Sequence, residues 1–295
     1  MKRVIASVLA AAFLFGGCTV RSKSVKSETA IRSGEEEFAK GNEAYARGDF
    51  ENALEWFSAA LEINPDYVDS LINRGNSLYA LGRYREALED YTRATELDAK
   101  NPIPRHNRGV ALYILGEYET AIKEYTAAIA LDPNYADAFV NRGRAYYDLD
   151  DLGAAIDDFD AALSLDPKSA RALYNRGIAL VEVGEYELAL WDFDDLVELD
   201  PGFADVYYRR GILLVDLADE ASMFGVLLTD EAEMDLALLQ YRWAIEDFTK
   251  AIELNQNTAH AYYERARAYE ILGEKDAAEQ DYLEAARLDP SLVRE

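Results

Sequence analysis

The chain has 295 residues, half of them apolar, and this composition excludes intrinsic disorder. Its 56 Asp and Glu outnumber its 30 Lys and Arg, giving a net charge of −26. That balance argues against a nucleic-acid partner, because binding a phosphate backbone requires a basic surface. With one Cys and 7 Pro, the sequence also excludes disulfide scaffolds, cysteine-rich metal sites and collagen.

The first 17 residues have the pattern of a secretory signal peptide. A basic start at positions 2 and 3 precedes an apolar run over residues 4–15. This run is too short to span a bilayer, which requires about 20 residues as a helix. We therefore predict that residues 1–17 are a signal peptide.

The segment Gly16-Gly17-Cys18 resembles the lipobox of bacterial lipoproteins, although Phe15 replaces the small aliphatic residue usual at its place. The resemblance implies cleavage before Cys18 and lipidation of its thiol, and two acyl chains would give stable membrane attachment. It also implies a location in the bacterial cell envelope, and Thr19 favours the outer membrane, on its periplasmic or surface face. An ordinary secretory signal, or an uncleaved anchor, is the alternative.

Residues 18–33 form a polar, basic segment without apolar periodicity, which predicts a flexible tether. Beyond it, the tripeptide Asn-Arg-Gly recurs every 34 residues, beginning at Asn73, Asn107, Asn141 and Asn175. Extending this register in both directions divides residues 34–292 into seven repeats and leaves residues 293–295 as a tail. The repeats are 34–67, 68–101, 102–135, 136–169, 170–203, 204–258 with a 21-residue insertion, and 259–292.

Several positions of the repeat have the same type of residue in every repeat. We number these positions as places, counted from the first residue of each repeat. Place 8 is Gly in six repeats and Ala266 in the last, place 20 is always Ala, and place 24 is always Phe or Tyr. This pattern resembles the tetratricopeptide repeat. The resemblance implies an all-α fold, a right-handed superhelical solenoid of seven helix-turn-helix repeats, with a concave groove lined by the first, or A, helix of each repeat.

Place 7 is basic in every repeat, and place 23 is acidic in the six repeats whose place 7 is Arg. The first repeat has Lys40 and Trp56 instead. This covariation predicts an ion pair between the two helices of a repeat. We expect such a pair to be worth up to about 1 kcal/mol where solvent reaches it.

No constellation of residues predicts an enzyme, a cofactor or a small-molecule substrate. His106 and His260 occupy different places in different repeats, and no Walker, GxGxxG, GxSxG or HExxH motif occurs. The acidic string from Asp148 to Gly153 resembles the start of a calcium loop but has Leu152 in place of the third oxygen ligand and Phe159 in place of the final Glu. We therefore predict no catalytic residue and no metal site.

The repeat family places the candidate peptide-binding residues on the A helices. Amides at place 6 form a ladder that can pair with the backbone of an extended peptide, similar to the ladders of the O-linked GlcNAc transferase repeats and of importin alpha. The alternative is that these amides only bond a neighbouring helix. Two arginines partly resemble a carboxylate clamp, although Asp137 and Asp205 stand where it requires a second cation. The candidates are Asn73, Asn107, Asn141, Asn175, Arg171, Arg209, Tyr45, Tyr79, Tyr113, Tyr147, Tyr174 and Tyr208.

The sixth repeat has Ala218 where other repeats place Gly after helix A. We predict that helix A continues to about Phe224, that Gly225 ends it, and that a lengthened second helix follows through Leu254. The pair would project about 10 to 15 Å as an apolar hairpin. It would serve as a partner or homodimer surface or, alternatively, be buried on repeat seven. The candidate contact residues are Met223, Phe224, Leu227, Leu228 and Met234.

The sequence thus predicts a non-catalytic, lipid-anchored adaptor that binds extended peptide segments or partner proteins in its groove. The alternative is a structural or pilot lipoprotein that self-assembles or chaperones an outer-membrane, pilus or secretin complex.

Overall fold

The computed structural model describes residues 34–228, 231–255 and 258–292. Within these ranges all regular structure is helical, which confirms the predicted fold class. The predicted signal peptide, Cys18, the tether and the tail lie outside the described residues.

Fourteen α-helices in the described ranges form seven consecutive pairs, one pair for each predicted repeat. The pairs are α1 (34–46) and α2 (Phe50–Ile63), α3 (Val68–Ala80) and α4 (Tyr84–Leu97), α5 (Pro102–Ile114) and α6 (Tyr118–Leu131), α7 (Ala136–Asp148) and α8 (Leu152–Leu165), α9 (Ala170–Glu182) and α10 (Tyr186–Leu199), α11 (Ala204–Leu228) and α12 (Glu231–Leu254), and α13 (Ala259–Ile271) and α14 (Lys275–Leu288). A short 3₁₀ helix, Pro290–Leu292, follows the last pair.

The described residues divide into two compact units, one that ends at Ala138 and one that begins at Phe139, with the division inside α7. In the first unit, α2 to α6 each pack against the next helix, and small apolar clusters such as Leu61, Leu71 and Ile72 lie between them. In the second unit, α8 to α14 pack in the same sequential way. Its core combines a cluster around Phe159 and Phe193 with another around α11, α12 and α13.

In the part of the chain that the structure describes, no helix combines the length and the apolar character that crossing a membrane requires.

The glycine column at place 8 marks where the two helices of a repeat cross. A Cβ atom added at Gly177 would lie 2.6 Å from Cε1 of the Phe193 ring, which is closer than real Cβ atoms come. The same clash, at 2.5–2.8 Å, would occur with the place-24 ring at Gly41, Gly75, Gly109, Gly143 and Gly211. Both columns therefore follow from one close crossing, repeated along the chain.

The residue at place 15 ends helix A in the left-handed conformation. Five repeats have Gly there, with φ between 74° and 81°, and repeat four has Asp150 with φ of 63°. The next residue, Asp151, caps α8 by accepting a hydrogen bond from the backbone N–H of Ala154 at 3.2 Å. The acidic string in this repeat is therefore explained by a turn and a helix cap.

The sixth repeat lacks this stop, and α11 and α12 are both longer than their counterparts, as predicted. The prediction that Gly225 ends α11 is wrong, because the helix continues to Leu228. An interior glycine costs only about 1 kcal/mol relative to alanine, too little to end a helix that packs along α12. Ala218 is fully buried at the base of this hairpin. Ala237 is almost fully buried there, with 2% of its surface exposed.

All six predicted ion pairs between places 7 and 23 form. In five of them the Arg makes two parallel hydrogen bonds to an Asp, as in Arg176 Nε and Nη2 to Asp192 at 2.8 and 2.6 Å. The others are Arg74–Asp90, Arg142–Asp158, Arg210–Asp247 and Arg265–Asp281, and Arg108 binds Glu124. The five Asp residues are only 2–7% exposed, so the value expected for a pair that solvent reaches does not apply to them.

The same arginines also reach the second helix of the preceding repeat. Nη1 of Arg176 lies 2.5 Å from Asp160, and Nη1 of Arg210 lies 2.6 Å from Asp194. Ser58, Thr92 and Thr249 receive the equivalent bond in other repeats. One side chain therefore ties helix A to two successive second helices.

The first repeat replaces the ion pair by a different interaction of its cation. Lys40 Nζ lies 4.8 Å from the centroid of the Trp56 ring, a distance typical of a cation–π contact. The exception in the sequence pattern thus has a physical substitute.

The glycine crossing predicts opposite effects for two Gly→Ala substitutions in the second unit. Gly177→Ala should lower the free energy of unfolding by about 1 to 3 kcal/mol, because the new methyl group overlaps the Phe193 ring. Gly153→Ala, in α8, meets no atom within 4 Å and should raise it by up to about 1 kcal/mol. Urea unfolding of both variants measures the difference. Equal effects of the two substitutions would contradict the crossing argument.

Candidate functional site

Two of the ladder asparagines lie in the first unit, and both bond the preceding A helix. Asn73 Nδ2 donates to Asn42 Oδ1 at 2.8 Å, and Asn107 Nδ2 donates to Asn76 Oδ1 at 2.9 Å. Each bond joins place 6 of one repeat to place 9 of the repeat before it. In this unit the amides contribute to helix packing, and peptide binding by them stays a prediction.

In the second unit the ladder residues form a network with Arg171. Arg171 Nη2 donates to Asn141 Oδ1 at 2.6 Å, and Asn175 Nδ2 donates to the backbone carbonyl of Arg171 at 2.6 Å. The structure therefore brings these three candidate residues together, and each of them has an internal partner.

The tyrosines at place 12 pack against the aromatic residue that begins the second helix. The ring centroids of Tyr45 and Phe50 are 5.2 Å apart, and Tyr79–Tyr84 and Tyr113–Tyr118 are separated by 5.2 and 5.3 Å. Tyr147, whose repeat has Leu152 at that place, is half-buried. These rings hold the helix pair together while part of each ring stays at the surface.

The place-5 tyrosines are also packed, and one of them has a polar partner. The ring of Tyr174 lies 5.1 Å from that of Phe203, and the ring of Tyr208 lies 6.1 Å from that of Phe248. The Tyr174 hydroxyl donates to Asp205. Burial, together with this carboxylate, raises the pKa of Tyr174 to about 12, so the hydroxyl remains a donor at neutral pH.

Arg209 faces the same carboxylate. Its Nε lies 3.7 Å from Asp205 Oδ2, and both side chains are about half exposed. The two arginines of the clamp hypothesis, Arg171 and Arg209, therefore both have partners within the protein. A C-terminal carboxylate bound here would compete with Asn141 for Arg171 and with Asp205 for Arg209.

A hollow of about 200 Å³ lies between the A helices α9 and α11 of the second unit. Its floor is apolar, formed by Phe193 and Leu213, and exposed Glu182 and Arg209 stand at the rim. The remaining lining residues are Ile178, Val181, Tyr208 and Ile212. The hollow can take one apolar side chain, while the two rim charges can bond the backbone that carries it.

Sequence reasoning missed Ile178 and Ile212, which share place 9. The signal was present, because this groove-facing place is Asn42, Asn76, Val110, Arg144, Ile178, Ile212 and Arg267 in the seven repeats, and repeats five and six are the only neighbours that are both apolar there.

The candidate partner residues of the hairpin are partly described. Met223 is 64% exposed and Met234 is 44% exposed, whereas the side chains of Phe224, Leu227 and Leu228 lie outside the described residues. Leu236, Leu238 and Leu239 are exposed by 41–42%. These five side chains, two Met and three Leu, are therefore exposed and are not buried on repeat seven, which was the alternative prediction.

Across residues 34–228, 231–255 and 258–292, no group of three or more His, Cys, Asp or Glu side chains is arranged to hold a metal ion.

Several solved structures are similar to this chain. A tetratricopeptide repeat protein from Parabacteroides merdae shares 25% identity, over 89% of this chain and 98% of that one, with a TM-score of 0.60. The C-terminal part of a repeat protein from Cytophaga hutchinsonii shares 20% identity, over 86% and 95%, with a TM-score of 0.67. YrrB, described as having an unusual peptide-binding site, shares 23% identity, over 70% and 95%, with a TM-score of 0.51. The last two likenesses show the fold alone.

No curated protein matches the chain. A TPR repeat model matches residues 41–82, 75–115, 109–150 and 143–184, and a tetratricopeptide repeat model matches residues 259–292. These matches cover more than half of the chain, and their register agrees with the helix pairs of the structure. The chain therefore belongs to the tetratricopeptide repeat family.

Proposed function

We propose that this protein is a non-catalytic, lipid-anchored adaptor that binds an extended segment of a partner protein along its A helices. The tetratricopeptide fold supports a protein-binding or peptide-binding role. The finer elements of the proposal are the binding residues, the lipid anchor and the bacterial envelope location.

The observation that carries the proposal is the hollow between α9 and α11. An apolar floor with a few polar groups at the rim is the composition of a pocket for one side chain. Its volume of about 200 Å³ is below the roughly 300 Å³ at which pockets for small molecules begin. The hollow therefore has the size for a single peptide side chain.

The asparagines next to the hollow support an extended peptide in particular. Asn141 and Asn175 lie on successive A helices, α7 and α9, and an amide side chain carries two donors and an acceptor. An extended peptide repeats its own N–H and C=O groups along its length. Amides on successive A helices suit that repetition whatever the peptide sequence.

The anchor part of the proposal rests on Cys18, the only cysteine of the chain, and on the Gly16-Gly17 pair before it. Lipidation would hold the adaptor at a membrane surface, with residues 19–33 as the connecting segment.

The groove proposal predicts where a partner contacts the protein. A photo-crosslinking residue in place of Ile178 should form covalent adducts in cells, because Ile178 lines the hollow. The same residue in place of Glu89, exposed on α4, is the control and should form few. Adducts from Glu89 alone would contradict the groove.

The ladder predicts that changing Asn107, Asn141 and Asn175 together to Ala weakens capture at Ile178 while helicity is retained. Each lost hydrogen bond to a peptide should matter by roughly 0.5 to 1.5 kcal/mol. Capture yield and circular dichroism of the triple variant are the two measurements. Unchanged capture would show that the asparagines only join neighbouring helices.

The anchor predicts that Cys18→Ala moves the protein from the membrane fraction to the soluble fraction, or leaves it uncleaved. Cell fractionation with a mass measurement of the mature chain distinguishes these outcomes. A cleaved Cys18→Ala protein that still floats with membranes would contradict lipidation.

A further inference from the structure

A second surface lies on the outward sides of α10 and α12, away from the A-helix groove. Trp191 is 65% exposed and Trp243 is 44% exposed, and Leu188, Leu236 and Leu239 are exposed by 41–42%. We call these five residues the outer patch. Leu236, Leu239 and Trp243 follow the i, i+3, i+7 spacing, so they form one stripe about 10 Å long on α12.

The repeat pattern shows that the two tryptophans are not required for packing. At place 19, where Leu188 and Trp243 stand, the other repeats have Asn52, Glu86, Thr120, Ala154 and Ala277. At place 22, where Trp191 stands, they have Glu55, Glu89, Lys123, Asp157, Glu246 and Gln280. A tetratricopeptide unit therefore folds with polar or small residues here, and the large aromatic rings need another explanation.

A hollow between α10 and α12 borders one residue of the outer patch, Trp243. It has a volume of about 270 Å³ and lies between Leu190 and Asp194 of α10 and Trp243 and Glu246 of α12, with Leu214 of α11 also in its lining. This space suits one large side chain of a partner beside the Trp243 ring.

Acidic residues dominate the surroundings of the outer patch. The helix α10 contains no Lys or Arg. In α12, Arg242 is the only basic residue between Glu231 and Glu246. Arg210, which also lines the hollow, is paired with Asp194 and Asp247. The exposed acids of these outward sides are Glu187, Asp195, Glu198, Asp235 and Glu246.

We propose that the outer patch binds a basic amphipathic helix of a partner protein. The leucines and tryptophans would cover the apolar face of that helix, and the surrounding acids would face its Lys and Arg residues. A second copy of this chain would instead bring its own acidic residues close to these acids, and the like charges would repel. An anionic membrane would be repelled by the same charges. The surface is separate from the groove, and the proposal does not depend on the lipid anchor.

The test uses a fluorescently labelled synthetic amphipathic helix of Leu and Lys as the probe, titrated with the purified full chain. We expect the double variant Trp191→Ser with Trp243→Ser to bind it at least about tenfold more weakly, because aromatic anchors dominate helical interfaces. The matched control is Trp56→Ser, which removes a tryptophan of the first unit and should leave affinity unchanged. A second probe with Glu in place of Lys should bind poorly to every form.

Four results would overturn the proposal. The double variant could bind the Leu–Lys helix as tightly as the parent, which would reduce binding to general attraction by the −26 charge. The Glu probe could bind equally well, which would remove the charge argument. Sedimentation could show a dimer that the double variant abolishes, which would make a second copy the occupant. Vesicles of phosphatidylglycerol could bind through the patch, which would assign it to a membrane.

Discussion

The ion pairs of the arginine at place 7 are the interaction on which the rest of the structure depends. In Arg176 one guanidinium binds Asp192 of its own repeat through two atoms and Asp160 of the preceding repeat through the third. The helix pair and its junction with the previous pair are therefore fixed by the same side chain. Because burial raises the pKa of Asp192 although Arg176 lowers it, the carboxylate is stable there only with its cation in place.

Fixing the repeats through places 7, 8, 20 and 24 leaves the remaining places free to vary, and the two candidate binding surfaces arise there. On the A-helix side, Ile178 and Ile212 put apolar residues at place 9 of two adjacent repeats and help to line the side-chain hollow. On the outward side, Trp191 and Trp243 replace polar or small residues. Both departures occur in repeats five and six, so both proposed binding surfaces lie in the second unit.

The sequence predicted the parts of this fold that repeat, because a column of seven residues identifies the physical constraint that they share. It predicted the helix pairs, the ion pairs and the lengthened α11 and α12, and it identified the Gly and aromatic columns without predicting that they meet. It did not predict that the place-23 carboxylates are buried, since covariation reports a partner and not the solvent around it. The end of α11 at Leu228 was missed because packing along α12 outweighs the helix-breaking tendency of Gly225. The hollow was missed because it depends on the spacing of two helices, which no single column reveals.

The most direct test of this account is a double-mutant cycle on Arg176 and Asp192, measured by urea unfolding. Arg176→Met should lower the free energy of unfolding by about 3 to 5 kcal/mol, because it leaves a buried carboxylate without its cation. Adding Asp192→Leu should restore most of that loss, because both charges are then gone. The exposed pair Arg83–Glu86 is the control, and breaking it should leave the free energy of unfolding nearly unchanged. A loss at Arg176 as small as that at Arg83 would contradict the claim that this arginine holds the repeats together.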